Sequence, residues 1–536
     1  MRMAGSWTRR AAAAAVVAVA EVTASGIPVR SAIAMDLKIG LASEPSSIDP
    51  HYHNLTPNNG VLSHIFERLV ETAADNALIP GLALSWKVLD DTTWEIRLRP
   101  NVKWHDGTPF TVDDVMFTFE RAPNVPNSPS GFAATIKGKT LKKVDDLTLL
   151  ITTAAPAPLL PNDLSNILIV SKAHGAAAKT EDYNSGKAAI GTGPYRFGAY
   201  VPADRIEMTA NDEHWSGKPK WQKIAFKPLT SGPARVAALL AGDVDLIEDV
   251  PTTEIERLKK DGRLEVTQGV SRRVIYFHLD QFRDETPFVK GKDGAAIKNP
   301  FKDQRVRLAL SKALNREAIV SRVMEGVAIP AGQLLDTSFF GTSKTLKPVA
   351  YDPEGAKKLL AEAGFPAGFR MTLHAPSGRY TNDVKIAEAA AQMFTRVGIE
   401  TTLETLPPGV FFTRASTGAA GQPEFSFILV GWGSDTGETG SPLKSLLGTF
   451  DRDKGRGTAN RGRYANAELD KLVDEALATV DDAKRQTLLA KASELAMGDV
   501  GLIPSHYQIN TWAARKGLKY APRADEYTVI GSLTGQ

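Results

Sequence analysis

Residues 94–121, WEIRLRPNVKWHDGTPFTVDDVMFTFER, carry more structural information than any other stretch of this 536-residue chain. The segment begins with apolar residues that alternate with charged ones, namely Trp94, Ile96 and Leu98. This alternation predicts a half-buried strand. The sequence His105-Asp106-Gly107 follows, and it is typical of a turn because glycine accepts a positive φ. The first part of the segment is therefore predicted to form a strand and a tight turn.

An amphipathic helix is predicted for the second part of this segment. Thr111 has the position of an N-cap, and Asp114, three residues later, completes the pattern of a capping box. The helix would present one apolar face, formed by Val112, Val115, Met116 and Phe119. We expect this face to be buried. Nothing in residues 94–121 has the pattern of a catalytic site.

The amino terminus predicts export from the cytoplasm. Three arginines precede an apolar run at residues 11–20, which is too short to span a bilayer. Ala32-Ile33-Ala34 fits a signal-peptidase site, so we expect residues 1–34 to be a signal peptide and Met35 to begin the mature chain. The alternative for this region is a disordered, alanine-rich tail.

The composition excludes several classes of protein. The chain has no cysteine, which excludes disulfides, thiolate metal sites and a lipid anchor on a mature amino-terminal cysteine. A free periplasmic protein is therefore expected. Residues 1–34 hold four arginines and one glutamate, which account for the whole formal net charge of +3. The mature chain has no basic block, so nucleic acid is not an expected partner.

Four further segments have recognisable turn or crossing patterns. They are Glu44–Pro50 (EPSSIDP), Gly191–Phe197 (GTGPYRF), Leu239–Leu246 (LLAGDVDL) and Ile503–Tyr507 (IPSHY). Together with residues 94–121, they resemble, in the correct order, the landmarks of the family 5 solute-binding proteins of ABC importers, the peptide- and nickel-type binding proteins. The resemblance covers nearly all of residues 36–536. It implies a carrier and not a catalyst.

The carboxy-terminal half has the pattern of α/β structure. Asp352-Pro353 predicts a helix start, and Gly364 a helix end. Residues 369–373 and 399–403 alternate as strands around an apolar helical stripe at 386–397, which predicts a βαβ unit. The resemblance implies an α/β, two-lobed periplasmic-binding-protein fold of class II, the Venus-flytrap type, with an extra small domain.

The resemblance also implies domain bounds. The first lobe, lobe I, would combine residues 35–53, 190–275 and 505–536. The small extra domain would comprise residues 54–189. The second ligand-binding lobe, called lobe III, would comprise residues 276–504.

The strongest candidate for a binding site is Phe427–Asp435, FILVGWGSD. An apolar strand ends here in Gly431 and Gly433, which let a ligand approach the backbone. Ligands of open α/β sheets bind outside the carboxyl ends of strands. The segment is similar to the family's W-x-x-D element, which implies that Asp435 holds the α-amino group of a peptide and that Trp432 is an apolar wall. The alternative is that Asp435 caps a turn and Trp432 belongs to the core.

Two further places are expected to line the cleft. The resemblance implies that the loop at Glu44, Pro45 and Ser46 enters the cleft. Residues 127–132 lie where some oligopeptide-binding members place a cleft-lining tyrosine. Phe132 would replace that tyrosine as an apolar wall, or it would simply anchor the loop.

No catalytic residue, cofactor or metal site is expected. The histidines at positions 51, 53 and 64 are the only hint of a metal, and no acidic pair beyond Asp49 accompanies them. His105 is expected to be structural. The H-E-x-x-H and G-x-S-x-G patterns do not occur, and Gly138-Lys139-Thr140 lacks the first glycine of a Walker loop.

The sequence therefore predicts a monomeric periplasmic binding component of an ABC importer that delivers short peptides or peptide-like amino compounds to the permease subunits. Because fold does not determine ligand, a nickel chelate, haem, an oligosaccharide, an opine or glutathione stays open as the ligand. A periplasmic hydrolase is the alternative from another class of protein.

Overall fold

The computed structural model describes residues 36–535, so the predicted signal peptide at residues 1–34 lies outside the described residues. The strands, in chain order, are β1 Asp36–Leu41, β2 Val70–Thr72, β3 Leu78–Pro80, β4 Ala83–Asp90, β5 Thr93–Leu98, β6 Lys139–Lys143, β7 Thr148–Thr153, β8 Tyr195–Val201, β9 Arg205–Ala210, β10 Lys223–Pro228, β11 Leu246–Glu248, β12 Leu264–Leu279, β13 Val289–Lys290, β14 Ala328–Pro330, β15 Arg370–Pro376, β16 Glu400–Leu406, β17 Phe427–Gly433, β18 Ile503–Arg515, β19 Leu518–Tyr520 and β20 Leu533–Gly535.

The α-helices are α1 Thr56–Leu62, α2 Val112–Arg121, α3 Ala133–Ile136, α4 Leu160–Leu164, α5 Lys172–Gly175, α6 Thr180–Asn184, α7 Gly232–Ala241, α8 Thr252–Lys260, α9 Gln304–Ala313, α10 Arg316–Ala318, α11 Pro353–Glu362, α12 Asp383–Arg396, α13 Pro408–Ser416, α14 Gly440–Pro442, α15 Ala467–Leu477 and α16 Asp482–Gly498. Short 3-10 helices lie at Ala122–Asn124, Pro300–Lys302 and Ile530–Ser532, and π-helical turns at Ile319–Val323 and Leu443–Leu447.

A twelve-stranded mixed sheet runs through most of the molecule. Its order is β13-β15-β17-β12-β18-β11-β1-β10-β9-β8, with β14 beside β18 and β16 beside β15. The long strands β12 and β18 pair antiparallel from Leu264 and Arg515 to Phe277 and Ile503. Strand β18 pairs with β11 at one end, whereas β12 pairs with β17 at the other. These two strands therefore connect the two halves of the sheet.

A second module is built on the four-stranded sheet β4-β5-β7-β6. Its own hydrophobic core includes Trp94, Ile96, Val112 and Val115. We call residues 69–169 the four-stranded module. It lies within residues 54–189, the predicted small domain, and the bounds of the three predicted domains stay predictions.

The opening segment folds largely as predicted. Strand β5 covers the alternating residues, and Thr111 caps α2 by accepting a hydrogen bond from the Asp113 amide. The Asp114 carboxylate completes the capping box by accepting from the Thr111 amide at 3.0 Å. The expectation for Met116 is wrong, because this side chain is exposed. The buried face of α2 includes Thr118 in place of Met116, and the Thr118 hydroxyl contacts the Val170 carbonyl.

The predicted βαβ unit is also confirmed. Strand β15 runs parallel to β16, with Arg370 opposite Glu400, and α12 connects them. Asp352 caps α11 by accepting from the Gly355 amide at 2.8 Å. Among residues 36–535, no helix is both long and apolar enough to cross a membrane.

Two landmarks that are distant in sequence meet at His105. The Gly191 amide donates to its Nδ1 at 3.2 Å, so the neutral ring carries its proton on Nε2, which lies 2.9 Å from the Gly193 carbonyl. Burial lowers the pKa of His105 to about 4. The prediction that His105 is structural is confirmed. A Cβ on Gly191 would lie 1.7 Å from the Ile65 carbonyl oxygen, so a side chain has no room there.

We predict that Gly191→Ala lowers the free energy of unfolding by about 2 kcal/mol or more, because the added methyl group forces the backbone away from Ile65. Urea unfolding at neutral pH measures this loss. Gly262→Ala is the control, since a Cβ on Gly262 meets nothing within 4 Å. Equal midpoints for the two variants would contradict the prediction.

Candidate functional site

A cavity of about 720 Å³ lies at the carboxyl ends of several strands. Strand β1 runs parallel to both β10 and β11, so the three strands end at the same edge of the sheet. The residues that follow them line one wall of the cavity, including Leu41–Glu44, Thr230 and Glu248–Asp249. The position agrees with the general rule for ligands of open α/β sheets.

The opposite wall follows strand β15. It is formed by Gly378–Asn382 and Lys385, at the start of α12. The cavity therefore lies between the two halves of the large sheet. Its floor is formed by Gln508–Trp512 of β18 and by Glu526–Thr528.

A buried ion pair joins the strand β12 to the carboxy-terminal segment beside the cavity. The Arg273 guanidinium donates from Nε to Glu526 Oε1 at 2.8 Å and from Nη2 to Oε2 at 3.0 Å. The Ser271 hydroxyl donates to the same carboxylate at 2.8 Å. Burial acts to raise the pKa of Glu526, but Arg273 and Ser271 outweigh it and hold this pKa below its ordinary value. Glu526 is therefore ionised in the folded protein at neutral pH.

A buried arginine holds the turn that contains Asp249. Arg235 Nη2 donates to the Asp249 carbonyl at 2.7 Å, and Nε donates to the Glu248 carbonyl at 3.1 Å. The same guanidinium reaches Asp249 Oδ2 at 3.2 Å. The Asp249 side chain nevertheless stays 59% exposed, because it faces the cavity. Desolvation of the carboxyl inside the cavity raises the pKa of Asp249, and the nearby Glu526 charge acts in the same direction, whereas Arg235 acts to lower it.

Three non-glycine residues of the cavity lining have left-handed backbone conformations. They are Asp249 with φ 47°, Asn382 with φ 57° and Glu526 with φ 69°. Such conformations cost free energy for residues with a Cβ and occur often at binding sites. Here Arg235 and Arg273 supply hydrogen bonds that hold two of them.

The cavity walls carry opposite charges. Glu44, Glu248 and Asp249 lie on the wall formed after β1 and β11, whereas Arg379 and Lys385 lie on the wall after β15. The other charged lining residues are paired, Arg235 with Asp249 and Arg273 with Glu526. Arg379 and Lys385 are both exposed, and neither has a carboxylate partner among residues 36–535. The Arg379 guanidinium lies 5.0 Å from the centroid of the Tyr380 ring, which lines the same wall. The arrangement suits a ligand with separated positive and negative groups.

The sequence profile of the bacterial extracellular solute-binding proteins, family 5 Middle, matches residues 77–454. The chain belongs to this family. It is 28% identical over 468 residues to the glutathione-binding protein GsiB of Pectobacterium atrosepticum, with 87% of each chain covered. It is also 28% identical over 530 residues to the periplasmic oligopeptide-binding protein OppA of Salmonella typhimurium, with 92% of each chain covered.

A solved structure, that of HbpA2 from Haemophilus parasuis, superposes with a TM-score of 0.79 at 24% identity. The superposition covers 94% of this chain and 100% of that chain. The predicted α/β, two-lobed fold of the periplasmic binding proteins is thereby confirmed. The family is one of solute carriers and not of enzymes.

The W-x-x-D segment of this solute-binding protein lies directly behind the cavity lining. The Gly431 carbonyl accepts a hydrogen bond from Tyr380 at 3.1 Å. A Cβ on Gly433 would lie 3.2 Å from Arg273 Nη2, so the glycine permits this close approach. Trp432 is half-buried and packs against the core of the β15–β17 half. Asp435 is exposed, and its charge contributes to the raised pKa of Arg273. These four residues contact or influence lining residues without lining the cavity themselves.

The predicted site residues Glu44, Pro45 and Ser46 do not all lie in the cavity. Glu44 lines the cavity, and its Oε1 accepts from the Ala203 amide at 2.7 Å. Pro45 is buried beside Tyr200, which donates to the Pro45 carbonyl at 3.1 Å. Ser46 lies 3.0 Å from His53. Neither Pro45 nor Ser46 belongs to the cavity lining.

The expectation that Phe132 forms an apolar ligand wall needs correction. Phe132 is only 1% exposed and belongs to the core of the four-stranded module. Its ring packs edge-on against His51, with 5.9 Å between the centroids. Phe132 therefore anchors the loop at residues 127–132 to the core of the four-stranded module.

The histidines of the possible metal site point to different partners. His51 Nε2 lies 2.8 Å from the Leu168 carbonyl, and His64 Nδ1 lies 2.9 Å from the Val61 carbonyl. Burial lowers the pKa of each of these two histidines to about 4. Within residues 36–535, no group of three or more acidic or histidine side chains has the geometry to hold a metal ion.

Two serine–histidine contacts can be compared with a hydrolase site, and neither lines the cavity. In the first, Ser216 Oγ lies 2.8 Å from His214 Nδ1, and His214 Nε2 lies 3.1 Å from Glu67 Oε1. This group lies away from the cavity lining, and Glu67 also accepts from the Trp215 ring.

The second contact joins Ser46 to His53. His53 Nδ1 lies 3.0 Å from the serine Oγ, but Asn58 also contacts this hydroxyl. No carboxylate among the described residues orients His53. The pair therefore lacks the third member of a catalytic triad.

Sequence reasoning missed the charged residues that matter most for the cavity, namely Arg273, Arg379, Lys385 and Glu526. A signal existed for Arg379, because it follows a predicted strand at the edge where α/β sheets bind ligands. Arg273 and Glu526 lie far apart in sequence, and no local pattern marks their contact.

We predict that Glu526→Gln lowers the free energy of unfolding by about 3 kcal/mol at neutral pH, because it leaves the Arg273 charge buried without its partner. Urea unfolding measures the loss. Glu400→Gln is the matched control, since the Glu400–Arg370 pair is half exposed, at 52% and 49%, and should cost less than about 1 kcal/mol.

The pH dependence of this loss tests the same ion pair. Because the folded-state pKa of Glu526 is lowered, its stabilisation is present above the ordinary pKa of glutamate and is lost as the pH falls through the folded value. The difference between wild type and Glu526→Gln should therefore shrink below about pH 4. A constant difference would contradict a charge effect.

Proposed function

We propose that this protein captures a short peptide, or a peptide-like amino compound, in the cavity between its two lobes and delivers it to the permease of an ABC importer. The observation that carries the proposal is the charge separation across the cavity. An acidic wall at Glu44, Glu248 and Asp249 faces a basic wall at Arg379 and Lys385. A peptide with free termini is a zwitterion that matches this arrangement.

The size and polarity of the cavity support this choice of ligand. A volume of about 720 Å³ falls within the range of small-molecule sites, roughly 300–1,000 Å³. The lining also offers neutral polar side chains, such as Gln508, Asn510 and Thr511, to the amide groups of a peptide. Relatives named as oligopeptide- and glutathione-binding proteins agree with such a ligand.

We propose that Asp435 holds the ligand's amino group, as the W-x-x-D element implies. Its exposed carboxylate lies close enough to Arg273, a lining residue, to influence the Arg273 pKa. Trp432, Gly431 and Gly433 would shape the wall that carries it. Asp435 does not line the cavity in this structure, so it would meet the amino group when the lobes close. Glu44, on the acidic wall, would add to the negative charge that attracts the same group.

Transport requires the lobes to close over the ligand. We propose lobe I at residues 35–53, 190–275 and 505–536, and lobe III at residues 276–504. Strands β12 and β18 cross between them, with a register shift between Val270 and Val274 that suits a hinge. The ligand's higher affinity for the closed form would drive closure.

A second candidate ligand is a compound with two carboxylates, such as glutathione or an opine. The specific observation in its favour is that the basic wall has two cations without carboxylate partners, Arg379 and Lys385. A peptide with one terminal carboxylate uses only one of them.

We also propose that the chain is exported by the signal peptide at residues 1–34, and works in the periplasm as a monomer without catalytic activity. The oligopeptide-binding relative is a periplasmic protein. The permease subunits would be its protein partners, and the ATPase would be a separate chain.

We predict that trialanine stabilises the protein against thermal unfolding, by about 2.7 kcal/mol at a hundredfold excess over its Kd. Its amino-acetylated and carboxy-amidated forms should stabilise it less, because each lacks one terminal charge. Glutathione forms the second arm of the experiment. Mass spectrometry of ligand that co-purifies with the protein identifies the natural compound. Turnover of a chromogenic peptide, or no stabilisation by any of these compounds, would contradict the proposal.

Asp435→Asn keeps the side-chain shape and removes the charge. We predict that its affinity for trialanine falls by roughly ten- to a hundredfold, the loss of about 1.5–3 kcal/mol from one charged hydrogen bond. Isothermal titration calorimetry measures this change. Affinity for acetylated trialanine should change little, because no charge pair is broken. An equal loss for both ligands would show that Asp435 shapes the loop and does not bind the amine.

A further inference from the structure

The loop that carries Asp435 is contacted by the four-stranded module. We call residues 434–438 the Asp435 loop. Asn162, in helix α4 of the module, donates from Nδ2 to the Thr436 carbonyl at 2.8 Å. These residues are 274 positions apart in sequence. The contact therefore joins two parts of the fold that have separate hydrophobic cores.

A second contact is centred on Asn76, in the turn between β2 and β3. Arg272 Nη1 donates to Asn76 Oδ1 at 3.2 Å and to the Asp435 carbonyl at 3.0 Å. Gly437, with φ 67°, lies directly against the same asparagine, because a Cβ there would be 1.6 Å from Asn76 Nδ2. The Asp435 loop thus packs on the module at two points.

The turn between β2 and β3 is itself fixed to the carboxy-terminal segment. The Ala524 amide donates to the Ala74 carbonyl at 3.0 Å, and Arg523 Nη2 donates to the Thr72 carbonyl at 3.0 Å. Glu526, the partner of Arg273, follows two residues later. The turn is therefore anchored to the floor of the cavity and touches the Asp435 loop at the same time.

The carboxyl end of the loop is anchored separately, because the buried Glu438 carboxylate accepts from Arg485 Nη1 at 2.9 Å. Within the loop, the Ser434 hydroxyl donates to the Glu438 carbonyl at 2.9 Å, and the Gly437 amide donates to the Ser434 carbonyl at 3.2 Å. The Ser434 amide bonds to the Arg272 carbonyl at 3.0 Å. These bonds define the shape of the turn and fix its two ends, whereas Asn162 and Asn76 hold its middle, at Thr436 and Gly437, against the four-stranded module.

We infer that Asn162 and Asn76 are positioning residues that hold the Asp435 loop in place beside the cavity, so that the four-stranded module contributes to ligand affinity without touching the ligand. This inference rests on the proposed function, in which Asp435 binds the ligand's amine. It assigns a role to the module, which holds the Asp435 loop in a fixed position beside the cavity. Loss of either contact should speed ligand release, because the loop that carries Asp435 is then less restrained.

Asn162→Ala removes the hydrogen bond to Thr436. The matched control is Asn166→Ala, which removes a hydrogen bond to the Asn162 carbonyl within the module. Hydrogen exchange of residues 434–438, measured in the ligand-free protein, should rise about fivefold for Asn162→Ala and stay at the wild-type rate for Asn166→Ala. The dissociation rate of trialanine should rise about fivefold for Asn162→Ala alone, with the midpoints of thermal unfolding equal for the two variants.

Gly437→Ala tests the Asn76 contact. The added methyl group should displace the loop and weaken trialanine binding about tenfold. Gly421→Ala is its control, because Gly421 has a similar φ of 71° and a Cβ there meets nothing within 4 Å. The control carries the same left-handed backbone cost without the collision, so the difference between the variants isolates the contact with Asn76.

The outcomes separate the two proposals. If wild-type protein binds neither trialanine nor glutathione, the proposed function fails, and the exchange of residues 434–438 alone decides whether the asparagines position the loop. If trialanine binds but its dissociation rate and the loop exchange are unchanged in Asn162→Ala, the positioning role is overturned while the proposed function stands. Faster exchange and release in Asn162→Ala and Gly437→Ala, with both controls unchanged, would support the inference.

Discussion

The ion pair between Arg273 and Glu526 is the contact on which the organisation of the cavity depends. It joins strand β12, at its register shift, to the segment that follows β18 and β19. The same guanidinium lies against Gly433 at the end of β17 and over the Tyr380 ring at 6.0 Å. One largely buried side chain, 12% exposed, therefore contacts both halves of the sheet. Its desolvation is offset by a bidentate carboxylate.

Backbone strain and charge are concentrated in the same place. Asp249 and Glu526 both have left-handed conformations, and each is held by a buried arginine. Arg235 is occupied mainly by backbone carbonyls, so it stabilises the turn and leaves one Asp249 oxygen facing the cavity. A carboxylate that is exposed inside a cavity gives little stability to the fold. The left-handed backbone of Asp249 costs free energy, and a ligand that faces its carboxylate would explain why this conformation is kept.

The four-stranded module has an unusual relation to the cavity. Its core is separate, and the residue expected to reach the ligand, Phe132, is buried in it. The module nevertheless bonds to the backbone of the Asp435 loop and to the floor through the turn between β2 and β3. An added domain can therefore influence binding by constraining the middle of a loop whose ends are fixed elsewhere, here at Ser434 and Glu438.

The sequence by itself determined the local elements and the fold class. The alternation at Trp94, the capping pair Thr111 and Asp114, and the βαβ pattern after Asp352 depend on neighbours within a few residues, and the structure has all three. The landmark segments, in their order along the chain, indicated the family. The match to the family's sequence profile confirmed it. Met116 shows the limit of such reasoning, because the elements that pack on a helix decide which of its apolar residues are covered.

Only the tertiary structure decided which charged residues share the cavity. Arg273 meets Glu526 across 253 positions, and Arg379 and Asp249 line the same cavity although they follow different strands, β15 and β11. It also decided that Phe132 is core and that Asn162 meets Thr436. Local patterns carry no information on such pairs, because their geometry follows from how the long strands β12 and β18 bring distant segments together.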